Sequence, residues 1–224
     1  MGSGGSHGGF GGNSYPENCY LLVSNPPYGS IQFPYAPGSG GGFFLRQIKE
    51  ASSGGGVINI QSEMLVLKRS KLSADGMNAI QGGGGGAGGG ISIDFNYIVS
   101  DFKNLTQNGS EITALGGNGE KSSSGAGGRI RFWNHNWVNE LASEQDNVLK
   151  IKVDGGSNCP GKLSCGENGS IFTSPCRPGY YLSTPNYICT KCPLGTYQVY
   201  FSYSPCVPCL LKPDNSKYIG SNVS

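Results

Sequence analysis

Charge is scarce in this sequence. Only 13% of its 224 residues are Asp, Glu, Lys or Arg, and 16 basic against 14 acidic residues leave a net charge of +2. Nucleic-acid binding is driven by clustered Lys and Arg, so no nucleic-acid partner is expected. The short basic run Lys68-Arg69-Ser70-Lys71 reads as a solvated turn. Long apolar runs are missing too: no stretch of 18 apolar residues could cross a bilayer as a helix. Residues 1–12 lack the basic and apolar regions of a signal peptide, although other traits below are those of a secreted chain. That combination reads as a segment of something longer.

Catalytic groups are equally thin. There are two histidines, His7 and His135, in unrelated contexts, and no ladder of carboxylates along any predicted strand face. Asp75 and Asp154 match one another, but each precedes a glycine, where Asp is a natural turn former. The glycine blocks carry no regular Asp of the kind a calcium-binding repeat needs. The expectation is a protein that is not an enzyme, with no catalytic residue, no metal and no cofactor.

What the chain has in excess is glycine, 39 residues of it, beside a hydrophobic fraction of 36%. Glycine loses the most conformational entropy on ordering, so a folded chain keeps it where backbones must approach closely or φ must be positive. The glycines are periodic. Gly82–Gly90 holds eight glycines and one alanine and runs into the alternating strand Ile91-Ser-Ile-Asp-Phe95. The same device recurs at Ser53–Ile60 and Ser124–Phe132, and more loosely at Gly166–Phe172. The central apolar residues Ile58, Ile91, Ile130 and Ile171 are 33, 39 and 41 apart. A second ladder, at Leu72–Gly76, Ile112–Gly117 and Ile151–Gly156, is spaced by 40 and 39.

A strand of four or five residues cannot bury its own face, but like strands stacked about 4.8 Å apart share an apolar column. Alternation puts Ile58, Ile60, Ile91, Ile93, Ile130 and Phe132 inward and Asn59, Ser92 and Arg131 outward. The expected fold is all-β: a parallel β-helix or solenoid of glycine-rich repeats over residues 1–173, then a small disulfide-rich module over 174–224. Two other arrangements of the glycines fit the residues. They could pack as extended threefold helices bonded through their backbones, or serve as loops joining a β-sandwich. Phe43–Ala51 is the best helix candidate and could equally pair as a strand.

Eight cysteines and four Asn-x-Ser/Thr sequons point to an oxidising, secretory route and an extracellular or cell-surface location. The sequons make Asn104, Asn108, Asn168 and Asn222 expected carriers of N-glycans. Cys159 and Cys165, separated by five residues in a Pro-Gly turn, read as a local disulfide, whereas Cys19 has no evident partner. Two Cys-x-x-Cys pairs, Cys189/Cys192 and Cys206/Cys209, have the form of a zinc site, but the turn-rich aromatic spacer and the leftover Cys176 favour disulfides. Trp133-Asn-His-Asn-Trp137 could be a glycan-stacking platform built on Trp133 and Trp137, or a pair of rings closing the end of the apolar column.

The unit Pro175-Cys-Arg-Pro-Gly-Tyr-Tyr181, followed by Cys189-Thr-Lys-Cys-Pro-Leu-Gly-Thr-Tyr197 and Cys206-Val-Pro-Cys209, resembles the ephrin-receptor-like cysteine-rich repeat, a relative of the tumour-necrosis-factor-receptor modules. The resemblance implies pairs Cys176–Cys189 and Cys192–Cys206, with Cys209 bonded to a cysteine beyond Ser224. The order of parts, glycine-rich repeats before this module, resembles large surface proteins of plants and protists. That resemblance implies a structural or adhesive role: a component of a filament, of a flagellar appendage such as a mastigoneme, or of a coat. Its partners would be other copies or neighbouring segments of the same protein. The alternative is a carbohydrate- or receptor-binding adhesin module, using Trp133, Trp137 and the tyrosines of the cysteine-rich part.

Overall fold

The structure is a computed structural model, which describes residues 3–13, 25–42, 52–80, 83–100, 110–119, 122–135, 149–157, 165–183 and 188–209. The helix-or-strand candidate Phe43–Ala51 lies outside them, as do Cys19, Cys159, Trp137, Asn104, Asn108 and Asn222. Among the described residues there is no helix; the regular structure is all-β.

Seven strands alternate between two parallel sheets. β1 (Val57–Leu67), β3 (Gly90–Ser100), β5 (Arg129–Asn134) and β7 (Ser170–Thr173) form one sheet in that order. β2 (Lys71–Ser73), β4 (Glu111–Thr113) and β6 (Lys150–Lys152) form the other. The chain visits the sheets in turn, adding one strand to each on every pass. Register follows the sequence ladders: Ile58 pairs with Ile91, Ile91 with Ile130 and Ile130 with Ile171. In the smaller sheet Leu72 pairs with Ile112, and Ile112 with Ile151.

These columns make one core. Ile91, Ile93, Phe95 and Ile130 from the larger sheet and Ile112 from the smaller are fully buried, and Leu149, Ile151 and Val153 complete the cluster. Ile58, Ile60 and Ile171, from the outermost strands, pack against it only partly buried. The phase of alternation flips within β1, where Ser62 is half-buried, Glu63 and Met64 are both exposed and Leu65 and Leu67 point inward. The basic run then forms the exposed turn to β2, with Arg69 at a φ of +44°.

The glycine blocks are packed, not looped. Every residue of Gly83–Gly90 and of Ser122–Gly128 is buried. Backbone donors of the first block change partner with period three. Gly84 and Ala87 donate to the carbonyls of Gly42 and Ser39, Gly85 and Gly88 to Ser123 and Ala126, and Gly86 and Gly89 to Met77 and Ala74. Three residues per turn is the pitch of the extended polyproline-type helix. The same block accepts from Gly5, Gly55 and Gly117, so it has six backbone neighbours, three for donors and three for acceptors. The result is three layers: segments leaving the smaller sheet (74–79, 114–119, 153–157), segments entering the larger sheet (52–56, 83–89, 122–128, 165–169), and a cover made by 3–13 and 38–42. Glycine is needed here for proximity. A Cβ on Gly127 would overlap the carbonyl oxygen of Val153.

Beyond β7 the chain forms two short hairpins, β8 (Tyr180–Ser183) with β9 (Ile188–Lys191) and β10 (Thr196–Tyr197) with β11 (Val207–Pro208). Disulfides join Cys176 to Cys189 and Cys192 to Cys206, with Cα separations of 5.4 and 5.8 Å. Cys192 N–H bonds to Gly179 O and Cys209 N–H to Gly195 O, both at 2.8 Å, so the two loops share one internal bonding scheme. Gly179 and Gly195, at φ of +81° and +83°, turn the chain where a side chain would be strained. The module is small and carries little buried apolar area, so the bridges carry much of its order. Changing both Cys192 and Cys206 to serine is expected to lower stability there by about 2–4 kcal/mol, read as loss of amide protection over 193–208 with the repeat core still protected.

Candidate assembly and binding surfaces

The outward face of the larger sheet carries the column Asn59, Ser92, Arg131, Phe172 and beside it Gln61, Asp94, Trp133. Arg131 organises it. Its Nε donates to Asp94 Oδ1 at 2.8 Å and its Nη2 to Oδ2 at 3.3 Å, a two-point carboxylate contact. Its Nη1 donates to the carbonyl of Gln32 at 2.8 Å, while the guanidinium lies over the rings of Phe33, at 5.3 Å, and Trp133, at 4.9 Å. Arg129 acts likewise: Nε to Tyr28 O, Nη1 to Ser170 Oγ and Nη2 to His7 O. The two arginines of Arg129-Ile-Arg131 therefore hold segment 25–37 across the sheet. This cover explains why Ser92, expected outward, is fully buried, with no partner for its hydroxyl among the described residues.

Trp133 sits on this outward face and not at the end of the apolar column. Its ring stacks on Phe172 at 5.3 Å and 16° and meets Arg131, so much of its area is engaged within the protein. The aromatic surface that faces solvent is elsewhere. Phe33 and Tyr35 are about half exposed on the cover, and Leu194, Tyr200, Phe201 and Tyr203 are exposed between Cys192 and Cys206. The tyrosines of the cysteine-rich part are among the residues expected of an adhesin, whereas Phe33 and Tyr35 carry no sequence signal, because an isolated Tyr or Phe in a loop has no periodicity to mark it.

The turn reading of Asp75 is replaced by a different role. Asp75 Oδ1 accepts from the backbone of Leu115 at 2.8 Å, and its Oδ2 from Ser73 Oγ at 2.6 Å and Thr113 Oγ1 at 3.1 Å, with Lys71 Nζ 3.6 Å away. Asn78 accepts from Asn118 N–H at 2.8 Å, and Asn118 from Ser157 N–H at 2.9 Å. These side chains, three residues apart, take the donors that face away from the glycine layers and bind each pass to the next. Asn168 is exposed, and its Oδ1 accepts from Gly155 N–H at 3.1 Å. Cys165 is in a disulfide.

His7 pins the glycine cover. It is fully buried, and because Gly88 O can only accept, Nδ1 carries the proton of their 2.9 Å bond. Nε2 is left bare and buried, with no partner among the described residues. Burial, and secondly the Arg129 charge, hold its pKa below the ordinary 6.5, while the bond to Gly88 opposes this in part. A base with a depressed folded pKa protonates first in the unfolded chain. Stability is therefore expected to fall as pH drops below about 6.5 and to level off once the folded His7 protonates. The urea midpoint of wild type minus that of His7→Asn, followed from pH 8 to 4, measures the effect.

Comparison with known proteins gives one local likeness. The chain is 35% identical, over 57 residues and 23% of its length, to the Danio rerio protein named signal peptide, CUB and EGF-like domain-containing protein 2. It spans 6% of that protein. No family model and no solved structure matches the chain.

Proposed function

We propose that the chain is a structural segment of an extracellular glycoprotein, a solenoid of glycine-rich repeats (1–173) followed by an ephrin-receptor-like cysteine-rich module (174–224). The observation that carries this is the bonding of the glycine blocks. Dozens of residues are committed to backbone-to-backbone contacts that hold a shape and present no reactive side chain. Asp75 and Asp94, which could have served as acids or bases, are occupied in bracing one pass against another. Disulfides belong to oxidising compartments, and the relative's printed name includes a signal peptide, which together support an extracellular site. N-glycans on Asn104, Asn108, Asn168 and Asn222 belong to the same reading. A filament, flagellar appendage or coat would use the rod as a spacer, with other copies or segments of the protein as neighbours.

Electron microscopy of the native material tests this. Regular fibres or a coat with density on the sequon asparagines is the expected result; isolated particles with bare asparagines would overturn it. A second reading, an adhesin module, is favoured by the exposed Phe33, Tyr35, Tyr200 and Phe201. Retention on a glycan array, lost when these four become alanine, would establish it in place of the first.

A further inference from the structure

Repeat registers give a position-by-position comparison of the entering segments. Because Val57, Gly90, Arg129 and Ser170 pair in sequence, the residues two before them are equivalent: Gly55, Gly88, Gly127 and Asn168. At the three glycines a Cβ would strike the carbonyl oxygen of Ala74, Ala114 or Val153, each in the segment that leaves the smaller sheet on the same pass. At the fourth position stands an asparagine, exposed, with a full side chain.

What that side chain does can be read from the bonds it replaces. Gly76 N–H donates to Leu115 O and Gly116 N–H to Asp154 O, each at 2.8 Å, joining one leaving segment to the next. The equivalent donor on the last pass is Gly155 N–H, and it goes to Asn168 Oδ1 at 3.1 Å. The larger sheet has four strands and the smaller has three, so the described residues supply no fourth leaving segment beside β6. The amide of Asn168 stands where a carbonyl of that segment would stand.

We propose that Asn168 caps the edge formed by β6 and Gly155, standing in for the carbonyl of one further glycine-tailed strand that the edge would accept once the cap is removed. The occupant is defined by the interface it would continue. Along the smaller sheet Lys71 pairs with Glu111, and Glu111 with Lys150, while Lys152 Nζ lies 3.5 Å from Glu111 Oε1. The strand beside Lys150 and Lys152 must therefore bring a carboxylate, because like charges directly opposite are destabilising. It needs an apolar residue opposite Ile151 and a Gly-Gly pair four residues later. Glu111–Asn118 has that form, Glu-Ile-Thr-Ala-Leu-Gly-Gly-Asn. A second copy's β6 segment, which starts Lys150-Ile-Lys152, does not. Lysines at an edge that no other described strand pairs discourage self-pairing, and Asn168 completes the closure. Filament formation is not required, since a single edge of a single chain is involved.

Amide hydrogen exchange at Gly155 in the full chain tests it, with the synthetic peptide of sequence Glu111–Asn118 as the probe. In wild type, Gly155 is expected to be protected and indifferent to the peptide. Asn168→Gly removes the acceptor and the obstruction together; exchange at Gly155 should rise roughly three- to tenfold, as for loss of one net hydrogen bond, and added peptide should slow it again. Asn168→Asp keeps an oxygen at the site but destroys the sequon, so it should retain wild-type protection whether or not the native asparagine bears a glycan. Asn168→Ala gives the same readout as Asn168→Gly should the glycine variant not fold. Unchanged exchange in both Asn168→Gly and Asn168→Ala, failure of the peptide to slow exchange in them, or Asn168→Asp behaving like them would overturn the proposal.

Discussion

Gly127→Val should collapse the glycine layers, whereas Gly56→Ala, at the exposed glycine just before β1, should be neutral or stabilising. The contrast isolates proximity from conformational freedom, since neither glycine is among those with positive φ. A Cβ on Gly127 would overlap the carbonyl of Val153, and Gly169 N–H is bonded to that same carbonyl at 2.7 Å. Gly127 cannot move aside without breaking its own bond to Glu167 O, at 2.9 Å, and straining the bond Gly8 makes to its carbonyl at 3.0 Å. Overpacking a rigid interior costs about 1–3 kcal/mol, and each buried backbone group left unpaired about 1–3 kcal/mol more. The sum reaches the whole stability of a typical domain, so failure to fold in the secretory pathway, or a large drop in urea midpoint, is the expected outcome. A Cβ on Gly56 meets nothing within 4 Å. There alanine narrows the unfolded ensemble, worth about 0.4–1 kcal/mol in favour of the fold. Equal effects at both sites would show that the close packing of the glycine layers is not what stabilises the chain.

Phe95→Ala should be the most damaging change in the strand core, at about 3–5 kcal/mol. Phe95 is fully buried and its ring meets Phe132 at 4.7 Å and 54°, a tilted aromatic pair worth more than its area. It lies in the central region of the larger sheet, between Ser62 on one side and Asn134 on the other, so no neighbouring large apolar residue in its row can fill the gap. Ile58→Ala, in contrast, should cost less, because Ile58 is in an outermost strand and only partly buried. Chemical denaturation of the two variants orders them; a larger loss at Ile58 would mean that the outer strand is covered far more tightly than its exposure indicates.

The strand ladders were legible because they rest on two simple periods. Alternation within a strand and a spacing near 40 between strands placed Ile58, Ile91, Ile130 and Ile171 in one column, and Leu72, Ile112 and Ile151 in another. The arrangement of the glycines was not decided by sequence, since a run of glycine carries no pattern of side chains from which three-residue periodicity could be read. The signal that does carry it lies at the borders of the runs. Asp75 and Asn78, three apart with Gly76 and Met77 between, and Asn118, directly after Gly116 and Gly117, accept donors from the next pass. Ser92 lies on the outward face where alternation puts it, yet it is buried: alternation specifies only a face, and segment 25–37 that covers the face is recruited by two arginines far along the chain. The role of Asn168 rests on its register with Gly55, Gly88 and Gly127, which becomes visible only once the strand pairings are known.

The six-neighbour bonding of Gly84–Gly89 has a mechanical consequence. In a sandwich of sheets, backbone bonds run in one direction, and the plane between sheets is crossed by side-chain contacts alone, so the solid has a natural plane of cleavage. Around this segment, bonds leave toward three neighbours and arrive from three others, and any plane drawn along the segment severs peptide hydrogen bonds. Such a slab has no grain across its width: shear from any lateral direction meets the same kind of resistance.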